Sequence, residues 1–180
     1  MFKIIIIALA ITVITIVTLS VVENANNATT SQNENEASDK SGKVTVAISG
    51  EITRPGTYYI DSGATLLDAI EKASGTTSNA DYLCFNGDYV ITINTSFYIA
   101  PIYDNGDTCA VTPIAKVNIN TANKSDLMGI SGFGDSIAQA IIDYREQTSL
   151  FHRLEDIKNV TGVGEATFTK VKDKIRLKDA

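Results

Sequence analysis

The sequence has little of what most catalytic and metal sites require. Its 180 residues include one histidine, His152, and two cysteines, Cys84 and Cys109. None of these lies at the spacing of a Cys-x-x-Cys motif or a Cys–His pair, and no P-loop or kinase motif occurs. The sequence therefore predicts a protein without catalytic residues, metal site or cofactor. Its length excludes a large multi-layer enzyme.

Positive charge is also scarce, with 15 Lys and Arg residues against 21 Asp and Glu residues and a net charge of −6. Residues 44–116 hold 3 basic and 8 acidic groups, whereas residues 117–180 hold 9 of each. A protein that binds a polyanion usually concentrates Lys and Arg on the binding element. The last third of the chain is therefore the part that repels a polyanion least.

A 19-residue apolar run without charge, from Ile4 to Val22, begins the chain. As a helix it would span about 28 Å, close to the roughly 30 Å of a bilayer core. Lys3 precedes the run and Glu23 follows it, which places the N-terminus in the cytoplasm. We expect residues 1–22 to form a single-pass anchor in the cell membrane, with the C-terminal domains extracytoplasmic. A cleaved signal peptide is the alternative, but the residues before the candidate cleavage sites are not small and neutral.

Residues 23–43 are rich in Asn, Ser, Thr and Glu and contain no aromatic residue. This composition predicts a flexible linker. Both cysteines lie beyond it, 25 residues apart. On the extracytoplasmic side this favours a disulfide between Cys84 and Cys109, which would stabilise the fold by roughly 3 kcal/mol.

Residues 44–115 have the pattern of a small α+β module with a β-grasp-like arrangement. A capping box from Thr65 to Asp68 predicts the start of a helix that ends at Gly75, and Arg54-Pro55-Gly56 predicts a turn. Alternating or continuous apolar residues predict strands at Val44–Ile48, Tyr58–Ile60, Val90–Ile93 and Phe97–Ile99.

This module resembles the SLBB family, the soluble-ligand-binding β-grasp domains. The resemblance rests on a Gly-x-x-x-x-Pro-Gly-x-Tyr turn and the Asp-Ala-Ile helix that follows it. The stretch that carries the two cysteines departs from the family pattern. No ligand-binding residue is therefore assigned from it.

Residues 116–180 contain an internal repeat with an offset of 30 residues. The pattern Leu127-x-x-Ile130-x-Gly132-Phe133-Gly134 recurs as Ile157-x-x-Val160-x-Gly162-Val163-Gly164. Amphipathic runs flank each copy, which predicts helix, glycine hairpin and helix twice in an all-α domain. Asn123 is the predicted cap of the first helix.

Such a hairpin suits an anionic oxygen, because its glycines expose peptide N–H groups beside the first N–H groups of the next helix. Backbone donors of this kind follow a nucleic-acid backbone without reading bases. A single copy is more simply a turn between helices, but two copies in fixed register favour phosphate binding. The candidate DNA-binding residues are Gly132, Phe133, Gly134, Gly162, Val163 and Gly164.

The tail carries the basic residues. A helix that continues through Ile175 would place Lys170, Lys174 and Lys178 on one face at i, i+4 spacing. The candidate phosphate partners are Lys170, Lys172 and Lys174. A solvated helix face is the alternative reading of the same charges.

Residues 116–177 resemble the tandem helix-hairpin-helix domain of the ComEA family, the membrane-anchored DNA receptors of natural competence. The Val-Asn-Ile-Asn-Thr-Ala opening, the Ala-Ile-Ile-Asp-Tyr-Arg helix end and the order of anchor, SLBB-like module and hairpins match. The resemblance implies binding of extracellular double-stranded DNA without sequence preference for uptake in transformation. It also implies competence channel and pilus components as partners, and self-association through the SLBB-like module.

The chain departs from this family after each hairpin, where Ile137 and Ala166 occupy positions that are often Lys. Two other functions stay open. One is an envelope structural or polysaccharide-associated SLBB protein whose hairpins contact protein. The other is an enzyme, since nucleases and glycosylases also use such hairpins, but their added catalytic lysine, acid cluster or metal site is missing from the sequence.

Overall fold

The computed structural model describes residues 42–104 and 112–179. The predicted anchor at residues 1–22, all but the last two residues of the linker, and Cys109 lie outside the described residues. Among the described residues, no helix is both long enough and apolar enough to cross a membrane.

The first described module is built on a mixed sheet with the strand order β2-β1-β3. Strands β1 (Lys43–Gly50) and β2 (Gly56–Asp61) are antiparallel and flank the predicted turn. Strand β3 (Thr95–Ile99) is parallel to β1. A parallel pair requires a crossover connection, and the chain between β2 and β3 supplies it.

Helix α1 (Leu66–Lys72) lies in that connection and begins where the sequence predicts. The Thr65 hydroxyl accepts a hydrogen bond from the Asp68 backbone N–H at 3.3 Å, and the Asp68 carboxylate accepts one from the Thr65 N–H at 2.7 Å. These two bonds confirm the predicted capping box. The helix buries Leu66, Ala69 and Ile70 in the core of the module.

The strand predicted at Val90–Ile93 is wrong. Val90 forms only an isolated antiparallel bridge with Thr65, and the Ile91 N–H donates to the Ala64 carbonyl at 2.8 Å. The segment therefore pairs with the loop before α1 rather than with a strand. Ile91 is nevertheless fully buried, so the apolar pattern reported its burial but not its backbone pairing.

The second module contains the predicted arrangement of helix, hairpin and helix twice. The first pair ends in a long helix, whereas the second pair begins with a 3₁₀ helix rather than an α-helix. The Asn123 side chain caps the first helix by accepting from the Asp126 N–H at 2.9 Å, as predicted. The elements are α2 (Lys124–Met128), α3 (Asp135–Gln147), the 3₁₀ helix (Leu154–Asn159) and α4 (Glu165–Val171).

The continuous C-terminal helix predicted through Ile175 is wrong, and so is the expectation that residues 116–180 form an all-α domain. Helix α4 ends at Val171, and Ile175–Arg176 form β5, which is parallel to β4 (Val117–Asn118). A short β-branched segment fits a strand as well as a helix, and the pairing with β4 decides between them. The lysines predicted on one helix face therefore lie in three different places. Lys170 lies on α4, Lys174 lies in the turn before β5, and Lys178 follows β5.

Within the described residues, the two modules pack into one unit. Cys84 and Ala100 of the first module are buried in the same apolar cluster as Ile119 and Leu127 of the second. The Leu83 carbonyl also accepts backbone hydrogen bonds from the segment after β5, at 2.9 and 3.1 Å. The modules therefore share a core rather than being joined by a free linker.

Cys84 has no exposed surface, and its thiol donates to the Ile175 carbonyl at 3.5 Å. Burial raises the pKa of this thiol to about 12. Cys84 is a free cysteine in the structure. Because its predicted partner Cys109 lies outside the described residues, the disulfide stays a prediction.

Candidate nucleic-acid interface

Each hairpin turns through a glycine with positive φ, +124° at Gly132 and +92° at Gly162. Only glycine adopts this conformation without strain. A Cβ atom at Gly132 would lie 3.0 Å from Cγ1 of Val171, and one at Gly162 would lie 3.3 Å from Cγ1 of Ile137. Each hairpin is thus packed against a helix of the other motif, which holds the two hairpins in fixed positions.

Phe133 and Val163 do not present their side chains at this surface. Both side chains are buried in the core below the hairpins. Their backbone N–H groups close the turns by donating to the carbonyls of Ile130 and Val160 at 2.9 and 3.0 Å. Because these N–H groups are already used within the fold, we do not expect Phe133 or Val163 to donate a hydrogen bond to a phosphate.

Gly134 and Gly164 are the hairpin residues with the most open surroundings. Both are exposed, and a Cβ atom at either position would meet no atom within 4 Å. Their φ angles, −87° and −99°, suit any residue. They precede the first turns of α3 and α4, and neither supplies a side-chain cap. Bare peptide backbone therefore lies at the surface beside two helix starts, where an anionic oxygen can approach closely.

A carboxylate and a lysine flank each of these helix starts. Asp135 begins α3 and pairs with Lys124 at 2.8 Å, and Glu165 begins α4 and pairs with Lys158 at 3.1 Å. Sequence reasoning missed both lysines. They precede their acidic partners by different separations along the chain, so the 30-residue repeat does not reveal them. The ion pairs reduce the repulsion that these carboxylates would exert on a phosphate.

The three predicted phosphate partners lie in different places. Lys170 is exposed on α4. The Lys172 ammonium lies 3.8 Å from the centre of the Tyr98 ring on β3, so it faces the first module instead of the hairpins. Lys174 is exposed and lines a cleft formed in part by the first hairpin. The structure therefore brings Lys174, but not Lys172, to a hairpin.

Glu155 lies where the two modules meet. The sequence suggests that it serves the helix dipole together with Asp156, but its side chain is buried. Burial raises its pKa to about 7, and this effect is partly offset by backbone hydrogen bonds, including one from Tyr98, and by the charges of Arg153 and Lys158. Asp156 does serve the helix start, since its carboxylate accepts from the Arg153 N–H at 2.9 Å.

No group of three or more His, Cys, Asp or Glu residues in the described ranges could hold a metal ion. His152 is exposed, and its backbone N–H donates to the Asp156 carboxylate at 3.1 Å. It therefore has a role at the start of the 3₁₀ helix that needs no imidazole chemistry.

Comparisons with known proteins fit this geometry. A family model described as the helix-hairpin-helix motif matches residues 113–176, and the SLBB domain model matches residues 45–84. An uncharacterized protein of Haemophilus influenzae is 41% identical over 61 residues, which cover 33% of this chain and 54% of that protein.

A second relative is the endonuclease/exonuclease/phosphatase family domain-containing protein 1 of Xenopus laevis. It is 42% identical over 60 residues, which cover 33% of this chain but 11% of that protein. The match is confined to the helix-hairpin-helix region, so most of that relative has no counterpart here.

A much longer match links the chain to ComE operon protein 1 of Bacillus subtilis (strain 168). The two are 35% identical over 159 residues, which cover 83% of this chain and 78% of that protein. The alignment thus includes more than either family model matches. Together with the SLBB and helix-hairpin-helix matches, this similarity shows that the chain belongs to the ComEA family of competence proteins.

Proposed function

We propose that this protein is a membrane-anchored, extracytoplasmic receptor that binds double-stranded DNA without sequence specificity for uptake in natural transformation. The observation that carries the proposal is the pair of bare glycine backbones at Gly134 and Gly164, each beside a helix start. Two such sites, held apart by the packing of the hairpins, suit two phosphates of a DNA backbone. Backbone donors do not distinguish bases, which accounts for the lack of sequence preference.

The binding is expected to be weak at a single receptor. The first residue of the helix after each hairpin is acidic, and the positions after it that are often Lys in the family are Ile137 and Ala166. Several receptors on one membrane meeting one long DNA would raise the effective concentration, so micromolar sites can still hold DNA. A membrane anchor is consistent with this requirement.

The proposed division of labour follows the chain. Residues 1–22 anchor the protein, residues 23–43 form the linker, residues 44–115 form the SLBB module and residues 116–180 bind DNA. With 8 acidic and 3 basic residues across 44–116, the SLBB module is expected to repel DNA. Its proposed roles are self-association and contact with channel and pilus components.

The test is a double substitution, Gly134→Val and Gly164→Val, in the full-length protein in detergent. Both positions have room for a side chain within the protein, so the fold is expected to persist while the close approach of a phosphate is blocked. Substitution of Gly132 or Gly162 would instead disturb packing against Val171 or Ile137. Gly56→Val on β2 is the matched control, because a Cβ atom there has no neighbour closer than 3.8 Å.

The parent protein is expected to bind two duplexes of different sequence equally, with log K falling against log salt at a slope near −3.6 if about four phosphates are neutralised. The double variant should lose at least about tenfold in affinity for both duplexes, equivalent to about 1.4 kcal/mol. The control should bind like the parent. A folded double variant with parental affinity would show that the hairpins are not the DNA site.

A further inference from the structure

A cleft of about 580 Å³ lies beside the first hairpin, at the ladder that β4 and β5 form. One side is lined by hairpin residues, among them Ile130 and Ser131. Lys174 and Arg176 line it from the turn before β5 and from β5 itself. Two carboxylates, Asp126 and Asp179, also line it. The cleft therefore lies between the first hairpin and the segment of Lys174 and Arg176, which the sequence predicted to be helical.

Arg176 has hydrogen-bonding capacity that the fold does not use. Its Nε atom is buried and has no hydrogen-bond partner within residues 42–104 and 112–179. Its Nη2 atom lies 3.7 Å from Asp179 Oδ1, which is longer than a hydrogen bond. A guanidinium presents five donors in a planar fork that matches the oxygens of a phosphate. Arg176 is thus a cation whose hydrogen-bond donors are not all used by the fold.

The third basic residue of the cleft differs from Arg176. The Lys116 side chain is nearly completely buried, and its ammonium contacts the Asp81 carboxylate and the Pro101 carbonyl, each at 2.5 Å. Lys116 therefore joins the two modules. Arg176 and the exposed Lys174 are the cations of the cleft that can receive an anion.

The corresponding cleft at the second hairpin gives an internal comparison. It has a volume of about 380 Å³, and its lining includes the hairpin residues Val160 and Thr161. None of its described lining residues is basic, and Asp143 is among them. The two hairpins are similar in backbone, but the cleft beside the first has basic lining residues, whereas this cleft beside the second has none among its described lining residues.

We propose that the cleft beside the first hairpin binds one phosphate of the DNA strand that crosses this hairpin, with Arg176 and Lys174 as donors. The inference rests on the proposed DNA-binding function and adds a contact that the repeat does not contain. It makes binding asymmetric, because the first hairpin gains a side-chain contact where the second has only backbone contacts. Asp179 would release its loose contact with Arg176 as the phosphate enters.

The test compares two double variants of the full-length protein that lose the same charge. Lys174→Gln with Arg176→Gln removes both donors of the cleft. Lys72→Gln with Lys178→Gln removes two exposed lysines that do not line the cleft. Binding to a 30-base-pair duplex is measured from about 50 to 200 mM salt, and thermal unfolding establishes that each variant is folded.

The loss of one phosphate contact is expected to make the salt slope of the cleft variant shallower by about 0.9, while the control keeps the parental slope. Equal slopes in both double variants would overturn the proposal, because the effect would then come from net charge. If the cleft variant does not fold, Lys174→Gln and the charge-conserving Arg176→Lys replace it. The inference then requires a shallower slope for Lys174→Gln and weaker binding for Arg176→Lys, and parental values for both would overturn it.

The outcomes also separate this proposal from the proposed function. If the Gly134→Val and Gly164→Val protein loses DNA binding while the cleft variant matches the parent, the hairpins bind DNA and the cleft does not. If the parent itself shows no binding to duplex DNA at low salt, the receptor function fails, and the cleft proposal fails with it.

Discussion

The hydroxyl of Tyr98 donates a 2.7 Å hydrogen bond to the carboxylate of Asp173, 75 residues further along the chain. Tyr98 lies on β3 of the SLBB module, and Asp173 lies in the turn after α4 of the helix-hairpin-helix module. The Lys172 ammonium also lies over the Tyr98 ring. One aromatic side chain therefore holds the start of the segment that leads to Lys174 and the cleft.

Replacing Tyr98 with Phe should destabilise the whole unit without abolishing DNA binding. The substitution keeps the ring for Lys172 but removes the donor to a charged acceptor, which typically costs about 1.5 kcal/mol. Urea unfolding of the full-length protein measures this, with Tyr144→Phe as the control because it preserves the ring stacked on Phe151. An unchanged free energy of unfolding in the Tyr98 variant would show that the bond contributes nothing.

Glu155 gives the protein a stability that falls as pH rises. Burial raises its pKa from the usual value of 4.5 to about 7 in the folded protein, so the folded state holds this proton more tightly than the unfolded state. Its stabilising effect is present below about pH 4.5 and is lost as pH rises through about 7, by a total of about 3 kcal/mol. Glu155→Gln should remove this part of the pH dependence.

Urea unfolding at several pH values between 5 and 8 measures the effect. Glu71→Gln on the exposed side of α1 removes the same charge and serves as the control. If the Glu155 variant loses stability with rising pH as steeply as the parent does, another group is responsible.

The sequence predicted the features whose causes are local. The capping box at Thr65, the cap at Asn123 and the two glycine hairpins depend on residues a few positions apart, and each occurs where predicted. The end of α4 depends on the pairing of β5 with β4, nearly sixty positions earlier, and a local pattern does not contain that partner.

The same difference between local and distant causes explains which parts of the candidate site the sequence predicted. The repeat located both hairpins, but the direction of Lys172 is determined by Tyr98, and the burial of Glu155 is determined by the packing of β3 against the 3₁₀ helix. Phe133 and Val163 match the repeat because the hairpins need apolar residues below them. Motif membership therefore identified the hairpin residues but did not separate those at the surface from those in the core.

The disulfide between Cys84 and Cys109 is expected in protein recovered from the cell surface. Mass spectrometry of the unreduced protein should show the two cysteines linked, and two free thiols in most molecules would contradict the prediction. In the reduced protein, burial and the raised pKa of the Cys84 thiol should make its alkylation slow until the fold is unfolded.

Ala166 offers a gain-of-function test of the DNA surface. It is exposed one residue after the start of α4, close to the second hairpin. Ala166→Lys should add one phosphate contact, tighten DNA binding by about tenfold and make the salt slope steeper by about 0.9. Ile137 is unsuitable for the same change at the first hairpin, because its side chain is partly buried and packs near Gly162.

The control for this gain is Thr92→Lys, which adds the same charge at an exposed position of the SLBB module. If long-range attraction by net charge were responsible, both variants would bind more tightly to a similar degree. A local phosphate contact predicts that Ala166→Lys alone steepens the salt slope and that Gly134→Val with Gly164→Val cancels much of the gain. If the Ala166→Lys protein binds DNA no better than the Thr92→Lys protein, the second hairpin is not part of the DNA-binding surface.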